Sequence, residues 1–192
     1  MLIGILMAII SLFYFQIDKF SEYLLQFKFL SPEIIINSIT NNDYIQLIRI
    51  FTSHLFHLDL NHYLINSIGL ISQGLVLEKY FYNYSKFIFF KIIIFMMFMS
   101  SALHVLISTL LFLIFQYERV YVTSVCGLSA VLFGMQFIYN YLTNKDFMRS
   151  FAQVLIYITY MHFFVPGTST VGHLSGLFSG MILAKYVFII EN

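Results

Sequence analysis

Cys126-Gly127-Leu128-Ser129-Ala130-Val131-Leu132-Phe133-Gly134 places a hydroxyl and a run of small residues inside a strongly apolar stretch. Taken alone, Gly-x-Ser reads as close helix packing, the usual employment of small residues in membrane helices. Two further stretches change that weighting: His62-Tyr63-Leu64-Ile65-Asn66, and Gly172-His173-Leu174-Ser175-Gly176-Leu177-Phe178-Ser179-Gly180. Together the three supply a hydroxyl, a base and two hydrogen-bond donors.

The surrounding chain of 192 residues is 60% hydrophobic and 10% charged, with a mean hydropathy of +0.85. That is far outside the range of soluble domains and predicts a polytopic membrane protein. A crossing needs about 20 apolar residues to span roughly 30 Å of hydrocarbon. The charge-free runs are 1–17, 60–77, 92–117, 120–144 and 150–184. The last is too long for one crossing and holds Pro166-Gly167, which favours a turn between two helices. The expected architecture is all-α, a bundle of six transmembrane helices at about 1–17, 60–77, 86–115, 127–143, 149–165 and 170–188. One membrane domain over 1–192 accounts for the whole chain, with no internal repeat.

Residues 18–59 interleave charges with Phe20, Tyr23, Leu24, Phe27 and Phe29, a pattern that suits short helices lying in the membrane interface. The first run lacks a basic leader and a small-x-small cleavage site, so it reads as helix 1 and not as a signal peptide. A net charge of +1 offers no basic surface for nucleic acid. Cys126 is the sole cysteine, which excludes a disulfide framework; beside Gly127 it reads as a small buried hydrophobe.

Basic residues in short loops set orientation. Lys79, Lys86 and Lys91 cluster at the 2–3 connection, and Lys145 and Arg149 at the 4–5 connection. The 3–4 connection has only Arg119 and the 5–6 connection has no charge, so the amino terminus is expected on the cytosolic side. Helices 2, 4 and 6 then all begin on the opposite face. His62, Ser129 and His173 lie near those three starts, at a similar depth given a rise of about 1.5 Å per residue.

A serine hydroxyl is a poor nucleophile until a base accepts its proton, and histidine is the commonest base. Ser129 and His173 are the candidate nucleophile and base. No acid falls inside the three helices, so the pattern is a dyad; Asp59 is the nearest acid in sequence and reads as a solvated loop charge. The oxyanion of a tetrahedral intermediate needs aimed donors. His62 and Asn66 are four apart, hence on one helical face, and Ser129 near a helix start, with Gly127 before it, adds unpaired backbone N–H groups. Gly172, Gly176 and Gly180 on helix 6, and Ala130 and Gly134 on helix 4, would bring the two backbones together. Phe133, four after Ser129, shares its face and can pack on the imidazole.

The spacing of His54, His57 and His62 matches no metal-binding pattern, and no metal or other cofactor is expected. His57 reads as a tie for the loop before helix 2 through backbone hydrogen bonds, and His104 and His162 as packing residues of the bundle.

Arg49-Ile50-Phe51-Thr52-Ser53-His54-Leu55-Phe56-His57, then His62-x-x-x-Asn66, Gly127-Leu128-Ser129-Ala130 and His173-x-x-Gly176-x-x-x-Gly180, resemble in order the rhomboid family of intramembrane serine proteases. The resemblance implies a Ser129–His173 dyad, an oxyanion hole helped by His62 and Asn66, a structural role for His57 and stacking of Phe133 on the base. It also implies a lipid-embedded enzyme whose partners are single-span transmembrane protein substrates, cleaved near the outer or lumenal face after passing between helices 2 and 5. The chain departs from the family pattern at Ile48, where a tryptophan is usual, at Ala130 in place of a second glycine, and after Glu78, where a glycine is absent.

Two other classes compete. A catalytically silent rhomboid-like protein that binds or retains membrane proteins typically lacks the serine or histidine, and both are here. A transporter would show broken helices or ionisable groups at mid-membrane, whereas the charges here stay near helix ends.

Overall fold

The computed structural model describes residues 2–15, 25–85 and 87–191, with side chains up to 185. Helix α1 (Leu2–Phe15) leads to a stretch that carries α2 (Pro32–Thr40), a 3-10 turn (Tyr44–Ile48) and α3 (Arg49–Thr52). The long elements follow: α4 (Leu60–Tyr82), α5 (Ile88–Phe115), short α6 (Glu118–Val122), α7 (Ser129–Asn144), α8 (Phe147–Phe164) and α9 (Thr170–Glu191). Each of the six expected segments holds one long helix over its described residues, and the fold class is all-α as expected. Phe20, Tyr23 and Leu24, the first part of the interfacial segment, lie outside the described residues, as does Lys86. The remainder of that segment is built of short helices, as its pattern of charges and aromatics suggests.

Sequence chemistry sets the helix ends. Ser31 caps α2, its hydroxyl accepting the Ile34 N–H, with Pro32 at the first helical position. Asp59 caps α4, its carboxylate accepting the His62 N–H at 2.8 Å. The acid expected to be merely solvated is thus the residue that starts the helix carrying His62 and Asn66. Asp146 does the same for α8 through the Arg149 N–H at 2.9 Å. Helices α5 and α7 stop where Gln116 and Lys145 turn left-handed, at φ 53° and 55°.

Among the described residues, Ile88–Phe115 is the helix long and apolar enough to cross a membrane by length and composition. Helices α1 and α7 have 14 and 16 residues, short of the roughly 20 that a full crossing takes. Helix α4 has 23 residues, but Asn61, His62, Asn66 and Gln73 dilute its hydropathy.

Helix α7 is the hub. One buried cluster joins it to α1, α4 and α5 through Leu70, Met96, Val131 and Met135, and a second joins it to α8 and α9 through Phe133, Phe137, Val154, Ile158 and Leu177. Between α7 and α9 there is almost no side-chain layer. A Cβ on Gly176 would collide with the backbone of Ala130, and one on Gly180 would lie 2.7 Å from the Gly134 Cα. Reciprocally, a Cβ on Gly134 would meet the Gly176 carbonyl at 2.7 Å. This is the small-residue packing expected from the sequence, with one correction. Gly172 does not join the stripe; its N–H donates to Ser169 Oγ at 3.1 Å in the first turn of α9.

Helix α1 is held against α4 at both ends. Glu78 accepts the Leu2 and Ile3 N–H groups at 2.7 and 3.2 Å, which satisfies the free donors of that helix start. At the other end Ser11 Oγ meets the Tyr63 hydroxyl at 2.7 Å, and Tyr14 stacks on Tyr63 at 4.6 Å.

Gly176→Ala has no space on α9 and must push the two backbones apart. Overpacking of this kind costs about 1–3 kcal/mol, so its thermal unfolding midpoint in detergent should fall clearly. Gly4→Ala on α1, where a Cβ meets nothing within 4 Å, should leave it nearly unchanged. Equal midpoints for the two variants would contradict the backbone contact.

Candidate active site

The close approach of α7 and α9 has a direct consequence at their starts. Ser129, the first residue of α7, and His173, in the first turn of α9, come within reach: Ser129 Oγ lies 3.2 Å from His173 Nε2. The ring is 5% exposed, and its backbone N–H is tied to the Ser169 carbonyl at 2.9 Å. Phe133 lies one turn below Ser129, its ring centroid 4.4 Å from that of His173 at 38°. Tyr157 of α8 supports Phe133 in turn at 5.5 Å. A ring packed at this tilt removes rotational freedom from the imidazole and keeps Nε2 facing the hydroxyl.

The donors arrive from α4. Asn66 is 4% exposed and its Nδ2 is buried without a hydrogen-bond partner. A buried amide left unpaired costs free energy, which marks it as a donor awaiting something. His62, half-buried on the same face, accepts the Leu58 N–H at Nδ1 over 3.5 Å, so a neutral ring carries its proton on Nε2. Helix α7 adds its own start: Leu132 is the residue whose N–H first finds a carbonyl within the turn, that of Leu128 at 3.1 Å. The N–H groups before it have no partner in the helix.

Gly127 has a different part from the one expected. Its N–H donates to the Ser53 carbonyl at 2.8 Å and is not free for an oxyanion. Its φ of +108° and the His62 ring, 2.6 Å from where a Cβ would sit at Nε2, both require glycine. Gly127 is therefore the seat on which His62 rests.

The segment before α4 clamps the extended stretch that leads into Ser129. Leu30 and Val125 exchange backbone hydrogen bonds of 2.9 and 2.8 Å. Arg49, 8% exposed, donates to the Phe29 carbonyl and to Gln46 Oε1, each at 2.7 Å, with its guanidinium over the Phe27 ring. Thr52 donates to the Phe27 carbonyl at 2.8 Å. The Ile48 side chain is exposed, and the anchoring falls to Arg49 and Thr52. His54 fixes the same segment to α5, its Nε2 donating to the Met97 carbonyl and to Ser101 Oγ, both at 3.0 Å. None of these backbone ties had a signal in the sequence beyond Arg49 and the histidines.

His57 interacts with the Leu55 backbone, although neither ring nitrogen reaches full hydrogen-bond geometry; it also packs edge-on against His62 at 5.1 Å and Tyr63 at 5.8 Å. It steadies His62 by ring contact. Burial first, and then neighbouring His62, push its pKa down to about 3; burial takes His54 down to about 4. Burial raises the Cys126 thiol to about 11, which makes it a poor nucleophile. His104 is buried in α5 as expected, whereas His162 is exposed and bonds Thr170 Oγ1 at 2.6 Å, joining the end of α8 to the start of α9.

A cavity of about 80 Å³ opens beside the pair, between α4, α7 and α8, and is lined by Asn66, Gln73, Ser129, Gln136, Tyr157 and Met161 among others.

An all-helical membrane protein with a serine against an imidazole at the starts of two helices, and a buried amide presented by a third, is the class that fold and site define. Residues 44–190 match the model of the Rhomboid domain, and the chain belongs to the rhomboid family. It is similar to the Arabidopsis thaliana protein named "Rhomboid-like protein 14, mitochondrial", with 28% identity over 146 residues, covering 71% of this chain and 42% of that one. The chain thus spans less than half the length of this relative.

Because His54 and His57 are neutral in the fold, the unfolded chain takes up protons first, starting near the ordinary value of 6.5. Their contribution to stability is whole above about pH 6.5 and is lost as pH falls through 4 towards 3. The unfolding midpoint should drop across that window, with a shallower slope in His57→Asn; identical slopes would contradict the neutral buried ring.

Proposed function

We propose that this chain is an intramembrane serine endopeptidase that hydrolyses single-span transmembrane proteins with a Ser129–His173 dyad. The observation that carries the reading is the 3.2 Å contact between Ser129 Oγ and His173 Nε2, next to a buried Asn66 amide with no partner of its own. Family membership supports it, and so does the presence of both reactive side chains, which favours an active enzyme over a silent rhomboid-like binding protein.

In this mechanism Ser129 Oγ attacks the scissile carbonyl carbon while its proton passes to His173 Nε2. The carbonyl oxygen becomes an oxyanion, held by Asn66 Nδ2, the His62 Nε2–H and the free N–H groups at the start of α7. His173 then gives its proton to the leaving amine, and an acyl-Ser129 remains. Water, deprotonated by the same imidazole, attacks that ester and frees the serine. Phe133 and His57 touch no reacting atom; they position His173 and His62.

The six long helices form one membrane domain, each a crossing, with the amino terminus cytosolic and the site near the opposite face. Substrate reaches the serine from the lipid through the gap between α4 and α8, where the cavity opens. Short α1 and α7 suit a locally thinned bilayer or polar groups drawn below the surface.

Reconstituted in liposomes with a model single-span substrate, Ser129→Ala and His173→Ala should abolish cleavage. Asn66→Ala should lower kcat by about 10²–10³, the usual worth of one oxyanion donor, with an unchanged unfolding midpoint. Cleavage that persists in Ser129→Ala would overturn the nucleophile, and a silent wild type on every substrate tried would favour the binding role.

A further inference from the structure

The cavity beside Ser129 does not end in hydrocarbon. On α7, Ser129, Gln136 and Asn140 fall at intervals of seven and four, and on α4 Asn66 and Gln73 are seven apart, so each set lies along one helical face. Gln73 Nε2 donates to Gln136 Oε1 at 2.6 Å, and Gln136 Nε2 donates to Asn140 Oδ1 at 2.7 Å. The two helices are therefore bridged by a run of amides below the serine. One group in the run is unspent: Gln73 Oε1 is buried and has no hydrogen-bond partner. Both Gln73 and Gln136 line the same cavity as Ser129.

Packing alone does not account for this run. A buried acceptor without a donor costs free energy, more so where lipid replaces water. An apolar pair at 73 and 136 would fill the gap without that cost. Gln73 lines a space of about 80 Å³, and one water-sized atom needs roughly 10–15 Å³ of such space, so a side chain of a few heavy atoms fits beside its amide. Gln136 lies seven residues below Ser129, about 10 Å along the axis at a rise of roughly 1.5 Å per residue. An extended peptide gains about 3.3 Å per residue. A substrate chain that runs from the serine towards the membrane core thus meets the amides some two to four residues from the scissile bond.

We propose that Gln73, held by Gln136 and Asn140, is a specificity residue that selects substrates with a hydrogen-bonding side chain (Ser, Thr or Asn) two to four residues to the membrane-core side of the cleaved bond. This rests on the endopeptidase reading and adds a substrate class to it. In a lipid-embedded segment such a side chain has few partners, and the Gln73 oxygen supplies one. An aliphatic side chain at the same place would bury the oxygen still unpaired.

The test is a panel of single-span substrates with one cleavage site, carrying Ala, Val, Ser, Thr or Asn in turn at each of those three positions. Wild-type enzyme in liposomes should prefer Ser, Thr or Asn over Ala or Val at one position, by about three- to tenfold in kcat/KM, the worth of one net hydrogen bond. In Gln73→Leu, and independently in Gln73→Met, that ratio should fall to about one. A ratio the same in wild type and both variants overturns the proposal, as does a wild-type preference for Val. Peptide affinity for the Ser129→Ala protein, read by fluorescence transfer, separates this from the endopeptidase reading because no cleavage is needed. The same polar preference there, lost on adding Gln73→Leu, supports the selecting amide even if no substrate is cut, and equal affinities overturn it.

Discussion

Helices α7 and α9 touch through their backbones, and the site depends on that contact. Gly176 lies against Ala130 and Gly180 against Gly134, where no Cβ could be accommodated. In lipid there is no hydrophobic drive to bring helices together, so association depends on close packing, which small residues permit. Because Ser129 and His173 sit one residue before Ala130 and three before Gly176, the distance set by the glycines is inherited by the hydroxyl and the imidazole. A layer of Leu or Val between the helices would add several ångströms and separate them.

Helix contact sets distance, and the segment before α4 sets direction. Ser129 enters its helix from an extended stretch gripped by the Leu30–Val125 bridge and by the Ser53 carbonyl on Gly127. That grip is carried back through Thr52 and Arg49 to the Phe27 and Phe29 carbonyls, and through His54 to α5. The polar atoms of an irregular segment at a membrane need such internal partners, since water is scarce there. On the other side of the serine, Asp59 starts the helix that presents His62 and Asn66. Three independent constraints thus converge on one recess.

Much of this was legible in the chain itself. The charge-free runs, divided at Pro166-Gly167 and trimmed at the loop charges, placed the six long helices to within about five residues of their ends. The pairing of Ser129 with His173 could be read because glycines four apart announce which helix faces touch. What could not be read depends on backbone atoms, which carry no residue signature: the Leu30–Val125 bridge, and the engagement of the Gly127 N–H by Ser53, which removed that glycine from the donors. Asp59 is exposed, as expected of a loop charge, and its further part as the cap of α4 could not be read until the helix start was known. His57 was assigned backbone hydrogen bonds on its chemistry; it keeps an interaction with the Leu55 backbone, and the His62 and Tyr63 rings that also pack on it had no signal in the sequence. The amide run of Gln73, Gln136 and Asn140 went unnoticed because its members lie on different helices and only the fold brings them together.

The central claim is that the serine hydroxyl is activated by the imidazole across the α7–α9 contact. Mass-spectrometric mapping of a fluorophosphonate adduct on the liposome-embedded protein tests it most directly. The account predicts a single adduct on Ser129 in the wild type and none in a folded His173→Ala variant. An adduct on another residue, or one on Ser129 that forms equally well without His173, would contradict it.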